Sequence, residues 1–139
     1  DVEAATDLSV CAFPKAALDR MIKDNPELEH RLLQQTLNEL DEARSWMVTL
    51  GRKTAAEKVA RFLWLIATHA DPEIVTESRS LTFDLPLTRA DIADFLGLTI
   101  ETVSRQLTKL KEAEMIALPD RRTVVIKDRQ RLQNLAEAA

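Results

Sequence analysis

The chain has 139 residues, 45% of them hydrophobic and 30% charged, a composition typical of a small globular protein rather than of a disordered segment. Its formal net charge of −4 argues, taken alone, against a nucleic-acid partner, and its two glycines cannot build a glycine-rich phosphate loop. The single cysteine excludes an intrachain disulfide, and the lack of a signal peptide or of any run of ~20 apolar residues favours a cytoplasmic protein without a membrane partner.

The first 25 residues predict a short strand followed by a short helix. Residues 8–13, LSVCAF, are largely apolar and predict the strand, and residues 15–23 predict the helix. Cys11 lies within the strand, where a free cysteine is more often a small buried hydrophobe than a metal ligand, and its function stays open. His30 and His69 have no cysteine or second histidine at metal-binding spacing, so no metal site is expected.

A long helix is predicted from Pro26, with Asn25 as its cap, to about Gly51, because neither proline nor glycine interrupts it. Four apolar side chains follow one another at spacings of four, three and seven, the pattern of a parallel coiled-coil seam: Leu33, Leu37, Leu40 and Met47. A second apolar face is formed by Leu28, Leu32, Trp46 and Leu50. The helix therefore either dimerises or packs on its own domain.

A further helix is predicted after Thr54, which is a suitable cap, and it ends at Asp71, before Pro72. Its expected core face consists of Val59, Phe62, Leu63 and Ile66. Trp64 is expected at the edge of that face. A polar loop over residues 71–79 then leads to a short strand predicted over residues 80–84.

The stretch from Leu87 to Ile116 predicts two helices joined by a tight turn, which is a helix-turn-helix. Thr88 is a good N-cap with Asp91 three residues later, and Gly97 stops the first helix because glycine accepts a left-handed backbone. Thr99 can cap the second helix. The apolar positions of the first helix are Ile92, Phe95 and Leu96, and those of the second are Val103, Leu107, Leu110 and Met115.

The second helix leaves a polar face: Glu101, Ser104, Arg105, Thr108, Lys109 and Glu112. Glu101, Ser104 and Arg105 lie at i, i+3 and i+4 on its first turns, the part that enters the major groove in this class of motif. Arginine can contact guanine O6 and N7, glutamate can accept from the cytosine amine, and serine can do either. The alternative is an ion pair between Glu101 and Arg105 on a solvated face, worth a few tenths of a kcal/mol.

Residues 116–118 and 123–127 predict two short β segments around a polar turn, which form the wing of a winged helix-turn-helix domain. Arg121 and Arg122 lie at its tip, where they either contact DNA phosphates or belong to an ordinary solvated turn. Asp128 then caps a last helix, whose apolar stripe is Leu132, Leu135 and Ala136.

The charge distribution supports a nucleic-acid interface more than the total does. Residues 1–50 contain 5 Lys or Arg against 10 Asp or Glu, whereas residues 51–139 contain 14 against 13. Within residues 104–131 the count is 8 against 4, a local charge of +4. Positive charge is therefore concentrated on the second helix of the motif, the wing and the turn that follows.

The block ETVSR at residues 101–105, preceded by LTRADIADFLGLTI, resembles the recognition motif of the CRP/FNR superfamily of bacterial transcription regulators, nearest to its FNR and FixK-like branch. The resemblance covers nearly all of the chain. It implies that Glu101, Ser104 and Arg105 read a TTGA-type half-site. Ile100 stands where the cyclic-AMP-receptor branch has arginine, which favours TTGA over TGTGA. Four further residues match family positions that lie against phosphates: Thr88, Arg89, Thr99 and Thr102.

The resemblance also implies the architecture: mainly α with a small β part, a dimerisation helix over residues 26–51 and a winged helix-turn-helix domain over residues 52–139. Residues 1–25 resemble the end of the family's sensory β-roll. No cofactor is expected in this chain, because any sensory ligand would lie in the missing part of that domain. A homodimer would place two recognition helices about 34 Å apart on DNA.

The expected function is a dimeric DNA-binding regulator, an activator or a repressor, that contacts RNA polymerase, and residues 71–79 lie in the neighbourhood that touches the polymerase in the family. The chief alternative is a winged-helix interaction module without specific DNA readout. The sequence offers no candidate nucleophile with a general base to activate it, so the chain is not expected to be an enzyme.

Overall fold

The computed structural model describes residues 7–71 and 80–138 and is mainly helical with one small sheet. Contacts divide the chain into a first unit, Asp1–Val48, and a second unit, Thr49–Ala139. The elements are α1 (Lys15–Asp24), α2 (Pro26–Arg52), α3 (Ala55–Ala70), β1 (Leu81–Asp84), α4 (Arg89–Leu96), α5 (Ile100–Glu112), β2 (Ile116–Ala117), β3 (Thr123–Ile126) and α6 (Arg129–Glu137). The predicted fold class is confirmed.

The strand predicted for residues 8–13 is wrong. Residues 7–14 have no regular secondary structure, and Leu8, Val10 and Phe13 are each at least 70% exposed. A strand needs a neighbour to pair its backbone N–H and C=O groups, and within residues 7–71 and 80–138 no strand pairs with this segment. The helix predicted just after it is α1.

The long helix α2 begins as predicted and runs slightly beyond its expected end. The Leu28 N–H donates to Asn25 Oδ1 at 3.3 Å, which caps the first turn. Gly51 lies inside the last turn rather than behind it. The four predicted seam residues have exposed fractions between 45% and 73%: Leu33, Leu37, Leu40 and Met47. The first unit thus carries an uncovered apolar stripe.

The core of the second unit is centred on α3. This helix contacts α6, α5 and β1, so its buried arc is wider than one stripe. Trp64 is only 6% exposed, so its expected place at the edge is wrong, whereas Ile66 is only half-buried. Ala60 and Ala67 are fully buried, which lets neighbouring elements approach closely.

The wing is part of a three-stranded antiparallel sheet with the order β1-β3-β2. Leu81 pairs with Ile126 and Asp84 with Thr123, while Ile116 pairs with Ile126 from the other side. The sequence predicted the strands, but not that β1 pairs with the second strand of the wing. Val124 and Ile126 are buried on the face toward the core.

Near the C-termini of three helices in the second unit, a backbone carbonyl accepts a hydrogen bond from a lysine or arginine of another segment. Each cation donates to a carbonyl near a helix C-terminus, which the chain's own backbone leaves unpaired. The pairs are Lys58 Nζ to Leu96 O at 3.3 Å, Arg131 Nη1 to Ala113 O at 3.0 Å, and Lys53 Nζ to Ala136 O at 2.7 Å. These bonds tie α3 to α4, α6 to α5, and the segment between α2 and α3, which contains Lys53, to α6.

Candidate nucleic-acid interface

The first helix of the motif, α4, begins with the predicted cap. Thr88 Oγ1 accepts the Asp91 N–H at 3.2 Å, and Asp91 Oδ2 accepts the Thr88 N–H at 3.0 Å and its hydroxyl at 2.6 Å. These hydrogen bonds, the Thr88 hydroxyl first, lower the pKa of Asp91 because they stabilise its ionised form. The start of α4 is therefore fixed by local hydrogen bonds.

The turn between the two helices depends on Gly97, which has φ 61° and ψ 44°. Its N–H donates to Asp94 O at 3.3 Å, and the Leu98 N–H donates to Ala93 O at 2.9 Å. These are the two bonds of a Schellman motif, with glycine at the left-handed position. Thr99 then caps α5, as predicted, by accepting the Thr102 N–H at 3.2 Å.

The buried side of the recognition helix α5 is formed by Val103, Leu107 and Leu110, none more than 4% exposed. Gln106 is also buried, which its polar side chain did not lead us to expect. Met115 does not extend the stripe, contrary to prediction. The helix has already ended at Glu112, and Met115 is half-buried in the segment before β2.

The outer side of α5 carries the residues predicted to read bases. Glu101, Ser104 and Arg105 are all exposed, and we call them the reading face. Arg105 Nη2 donates to Thr102 Oγ1 at 3.4 Å. Although both side chains lie in the described part of the chain, no ion pair joins Glu101 to Arg105. The alternative of a simple intrahelical ion pair is therefore not realised.

The wing tip, residues 119–122, is held by one carboxylate. Asp120 Oδ1 accepts the N–H groups of Arg122 and Thr123, each at 2.7 Å, and Asp120 Oδ2 accepts the Thr123 hydroxyl at 2.8 Å. These bonds, the Thr123 N–H first, lower the pKa of Asp120. Arg121 and Arg122 are exposed on this ordered turn.

An arginine cleft of ≈ 300 Å³ lies between the start of α4 and the wing tip, and it is lined by Leu87, Thr88, Arg89, Arg121 and Arg122. Arg89 Nη2 donates to Arg121 O at 3.4 Å. Arg89 Nη1 is buried and has no acceptor among residues 7–71 and 80–138. Burial lowers the pKa of Arg89 because it disfavours the charged form. The cleft presents cationic donors that an anion would satisfy.

The structure thus brings four of the predicted phosphate contacts together and leaves two elsewhere. Thr88, Arg89, Arg121 and Arg122 line the arginine cleft. Thr99 and Thr102 lie at the N-terminus of α5 instead, where they bond to each other. Sequence reasoning missed the partial burial of Arg89 and its bond to the wing, because both depend on a neighbour 32 residues away.

Residues 57–135, more than half of the chain, match the family of Crp-like helix-turn-helix domains. The chain belongs to this family. This match confirms the resemblance to the CRP/FNR superfamily, and the similar proteins described next confirm its FNR and FixK-like branch.

Among similar proteins, a probable transcriptional activator of Rhizobium leguminosarum bv. viciae is 55% identical over 98% of the chain and 55% of its own length. The transcriptional activator protein FnrL of Cereibacter sphaeroides is 50% identical over 95% of the chain and 54% of its own length. The solved structure of FixK2 from Bradyrhizobium japonicum superposes with a TM-score of 0.75 at 37% identity, covering 90% of this chain and 60% of that one. The chain thus spans little more than half the length of these relatives.

Within residues 7–71 and 80–138, no helix is long and apolar enough to cross a membrane. No group of His, Cys, Asp or Glu side chains there is arranged to hold a metal ion. The predicted polymerase-contacting loop, residues 71–79, falls almost entirely outside the described residues.

Proposed function

We propose that this protein is a sequence-specific DNA-binding transcription regulator that reads TTGA-type palindromes as a homodimer and contacts RNA polymerase. The observation that carries the proposal is the reading face: three exposed side chains on the recognition helix of a Crp-like domain. Two similar proteins are named as transcriptional activators, which supports a role in transcription regulation.

Base reading rests on the chemistry of the reading face. Arg105 can donate two parallel hydrogen bonds to guanine O6 and N7, and Glu101 can accept from the amine of cytosine. Because these two side chains are not paired with each other, neither has to break an ion pair to reach a base. A carboxylate on a surface meant only to attract phosphates would be repelled, so Glu101 favours sequence reading over simple charge attraction.

Phosphate binding rests on the arginine cleft. Three arginines line this cleft, and the exposed guanidinium groups of Arg121 and Arg122 can donate to a phosphate oxygen there. Since Arg89 also bonds to the backbone of Arg121, one phosphate there would touch both α4 and the wing. Thr99 and Thr102 would approach another phosphate from the N-terminus of α5, where the helix dipole favours an anion.

Dimerisation rests on the exposed stripe of α2. Its seam residues are spaced as in a parallel coiled coil, and each is at least 45% exposed in the single chain. Pairing two such stripes would bury them and would supply two reading faces for a palindrome. Such a regulator acts in the cytoplasm, where bacterial DNA lies, and any sensory ligand would bind a domain outside this chain.

The reading face is tested by replacing Arg105 with alanine. We expect affinity for a TTGANNNNNNTCAA duplex to fall by about 1–3 kcal/mol per half-site, with loss of the preference for guanine, because the bidentate contact disappears. Fluorescence anisotropy against this duplex and a scrambled one, each at two salt concentrations, measures both effects. Arg52→Ala, which removes an exposed arginine from the end of α2, is the matched control. If the unchanged protein and Arg105→Ala both bind the TTGA and scrambled duplexes equally, the protein is an interaction module without specific DNA readout; a TTGA preference that survives Arg105→Ala would show that other residues read the guanine.

The seam is tested by placing a charge in it. Leu37→Glu should shift the protein from dimer to monomer in sedimentation velocity, because an unpaired carboxylate cannot be buried between two helices. Leu32→Glu makes the same change on the other apolar face of α2, where the side chain is 38% exposed. A dimer that survives Leu37→Glu but dissociates with Leu32→Glu would place the interface on that second face.

A further inference from the structure

A chain of hydroxyl groups runs from the N-cap of α5 to the guanidinium of the reading face. Thr99 Oγ1 accepts the Thr102 N–H at 3.2 Å and donates its own proton to Thr102 Oγ1 at 3.0 Å. Arg105 Nη2 donates to the same Thr102 Oγ1 at 3.4 Å. Thr102 therefore stands between the helix cap and the arginine.

We propose that Thr102 is a positioning residue that orients Arg105 toward the guanine it reads. This inference rests on the proposed function, since it concerns how the same face recognises a base. Arg105 is exposed and would otherwise sample many rotamers, and a bond that holds one nitrogen in advance reduces the ordering cost of binding. The bond is long and joins a neutral acceptor, so it restricts the side chain without competing strongly with the base.

The hydrogen-bonding capacity of Thr102 fits this role. A hydroxyl has two acceptor lone pairs and one donor proton, and here Thr99 and Arg105 occupy the acceptor side. Thr102 can then donate its own proton to a phosphate oxygen. The guanidinium, for its part, keeps enough N–H groups for a bidentate contact after giving one to Thr102. One hydroxyl can thus link a phosphate contact to the orientation of the base reader.

A role limited to phosphate contact makes a different prediction. If Thr102 only donated to a phosphate, its loss would weaken binding to every duplex by the same factor, because phosphates carry no sequence information. If Thr102 positions Arg105, its loss lowers discrimination between a duplex with the TTGA guanine and one with TTAA in its place. The ratio of the two affinities separates the two roles.

The test is Thr102→Val, which keeps the branched shape and removes the hydroxyl, with Thr102→Ser to restore it. We expect the TTGA-to-TTAA affinity ratio to fall by about threefold to tenfold in Thr102→Val, the range of one hydrogen bond, and to recover in Thr102→Ser. Thr108→Val is the matched control, because that hydroxyl donates to Ser104 O at 3.0 Å and does not touch Arg105. Melting curves verify folding, and Thr102→Ala replaces the valine variant if it does not fold.

Measuring the TTGA-to-TTAA affinity ratio of Thr102→Val in an Arg105→Ala background completes a double-mutant cycle. The effect of Thr102→Val on the ratio should vanish there, because no guanidinium remains to be positioned. An unchanged ratio in Thr102→Val, with both duplexes weakened equally, would overturn the inference while leaving base reading intact. An unchanged ratio in Arg105→Ala alone would overturn the proposed function, and the positioning role with it.

Discussion

Replacing each of the two glycines of the chain with alanine should change the free energy of unfolding in opposite directions. Gly97 has φ 61°, and a Cβ built on it meets no atom within 4 Å, so alanine there suffers from the backbone angle alone. A left-handed residue with a Cβ costs about 1–2 kcal/mol, partly offset by a stiffer unfolded chain, so Gly97→Ala should cost about 1 kcal/mol. Gly51 has equal space but lies in the last turn of α2, so Gly51→Ala should stabilise by up to about 0.5 kcal/mol, the low end of the value for the middle of a helix.

The end of α5 extends this comparison, because the same Schellman motif recurs there with a different residue. The Glu114 N–H donates to Lys111 O and the Met115 N–H to Leu110 O, each at 3.0 Å, and Glu114 has φ 57°. Glutamate thus occupies the position that glycine occupies after α4. Glu114→Gly should therefore stabilise the second unit by up to about 1 kcal/mol, because it removes the Cβ from a left-handed backbone.

Urea denaturation followed by circular dichroism measures all three variants, and melting temperatures should shift by roughly 4–8 °C per kcal/mol for a domain of this size. We expect a lower midpoint for Gly97→Ala and higher midpoints for the other two, with unchanged slopes. If Gly97→Ala were as stable as the unchanged protein, the argument from its φ angle would be refuted. If Glu114→Gly were less stable, the glutamate side chain would have to make a contact that outweighs the backbone cost.

Two further predictions concern the start of α4 and the wing tip. Arg89→Met should weaken binding to every duplex alike and reduce the magnitude of the slope of log affinity against log salt by about 0.9 per half-site, about 1.8 for the dimer, while stability stays equal or rises because a buried nitrogen without an acceptor is removed. With Arg52→Met as the control of equal charge, an unchanged slope would contradict the phosphate contact. Asp91 and Asp120 have lowered pKa values in the folded protein, so the unfolded state binds more protons as the pH falls. Their contribution to the free energy of unfolding is therefore complete above the ordinary carboxyl pKa. It is lost as the pH falls through the lowered pKa values. Carbon-13 NMR should give both carboxyl midpoints below the ordinary aspartate value, and Thr88→Val should raise only that of Asp91; a midpoint at or above the ordinary value would show that the hydrogen bonds do not persist in solution.

Features set by neighbours in the sequence were predictable. The cap formed by Thr88 and Asp91, the stop at Gly97 and the cap at Thr99 each depend on a few adjacent residues with known backbone preferences. The exposure of the reading face followed from helical periodicity for the same reason. These local signals placed the helix-turn-helix and its outward-facing side chains correctly.

Features set by distant parts of the chain were not predictable. Trp64 is buried because several elements surround α3, and a periodic pattern does not reveal how many faces of a helix are covered. Met115 falls outside α5 because Glu114 adopts a left-handed backbone that its residue type does not favour. The apolar segment at residues 8–13 predicted a strand, but strand formation needs a partner that a single segment cannot supply.

The separation of the two sides of α5 has a consequence for how such regulators diverge. Val103 and Leu107 hold the helix in the core, whereas the side chains of Glu101 and Ser104 are exposed and make no hydrogen bond or ion pair among the described residues. Exposed substitutions of this kind usually change stability by no more than about 0.5 kcal/mol. If the reading face selects the bases as proposed, a duplicated copy of the gene can acquire a different operator through one or two changes on the outer side while the domain stays folded. New regulatory circuits can arise from this scaffold without passing through unstable intermediates.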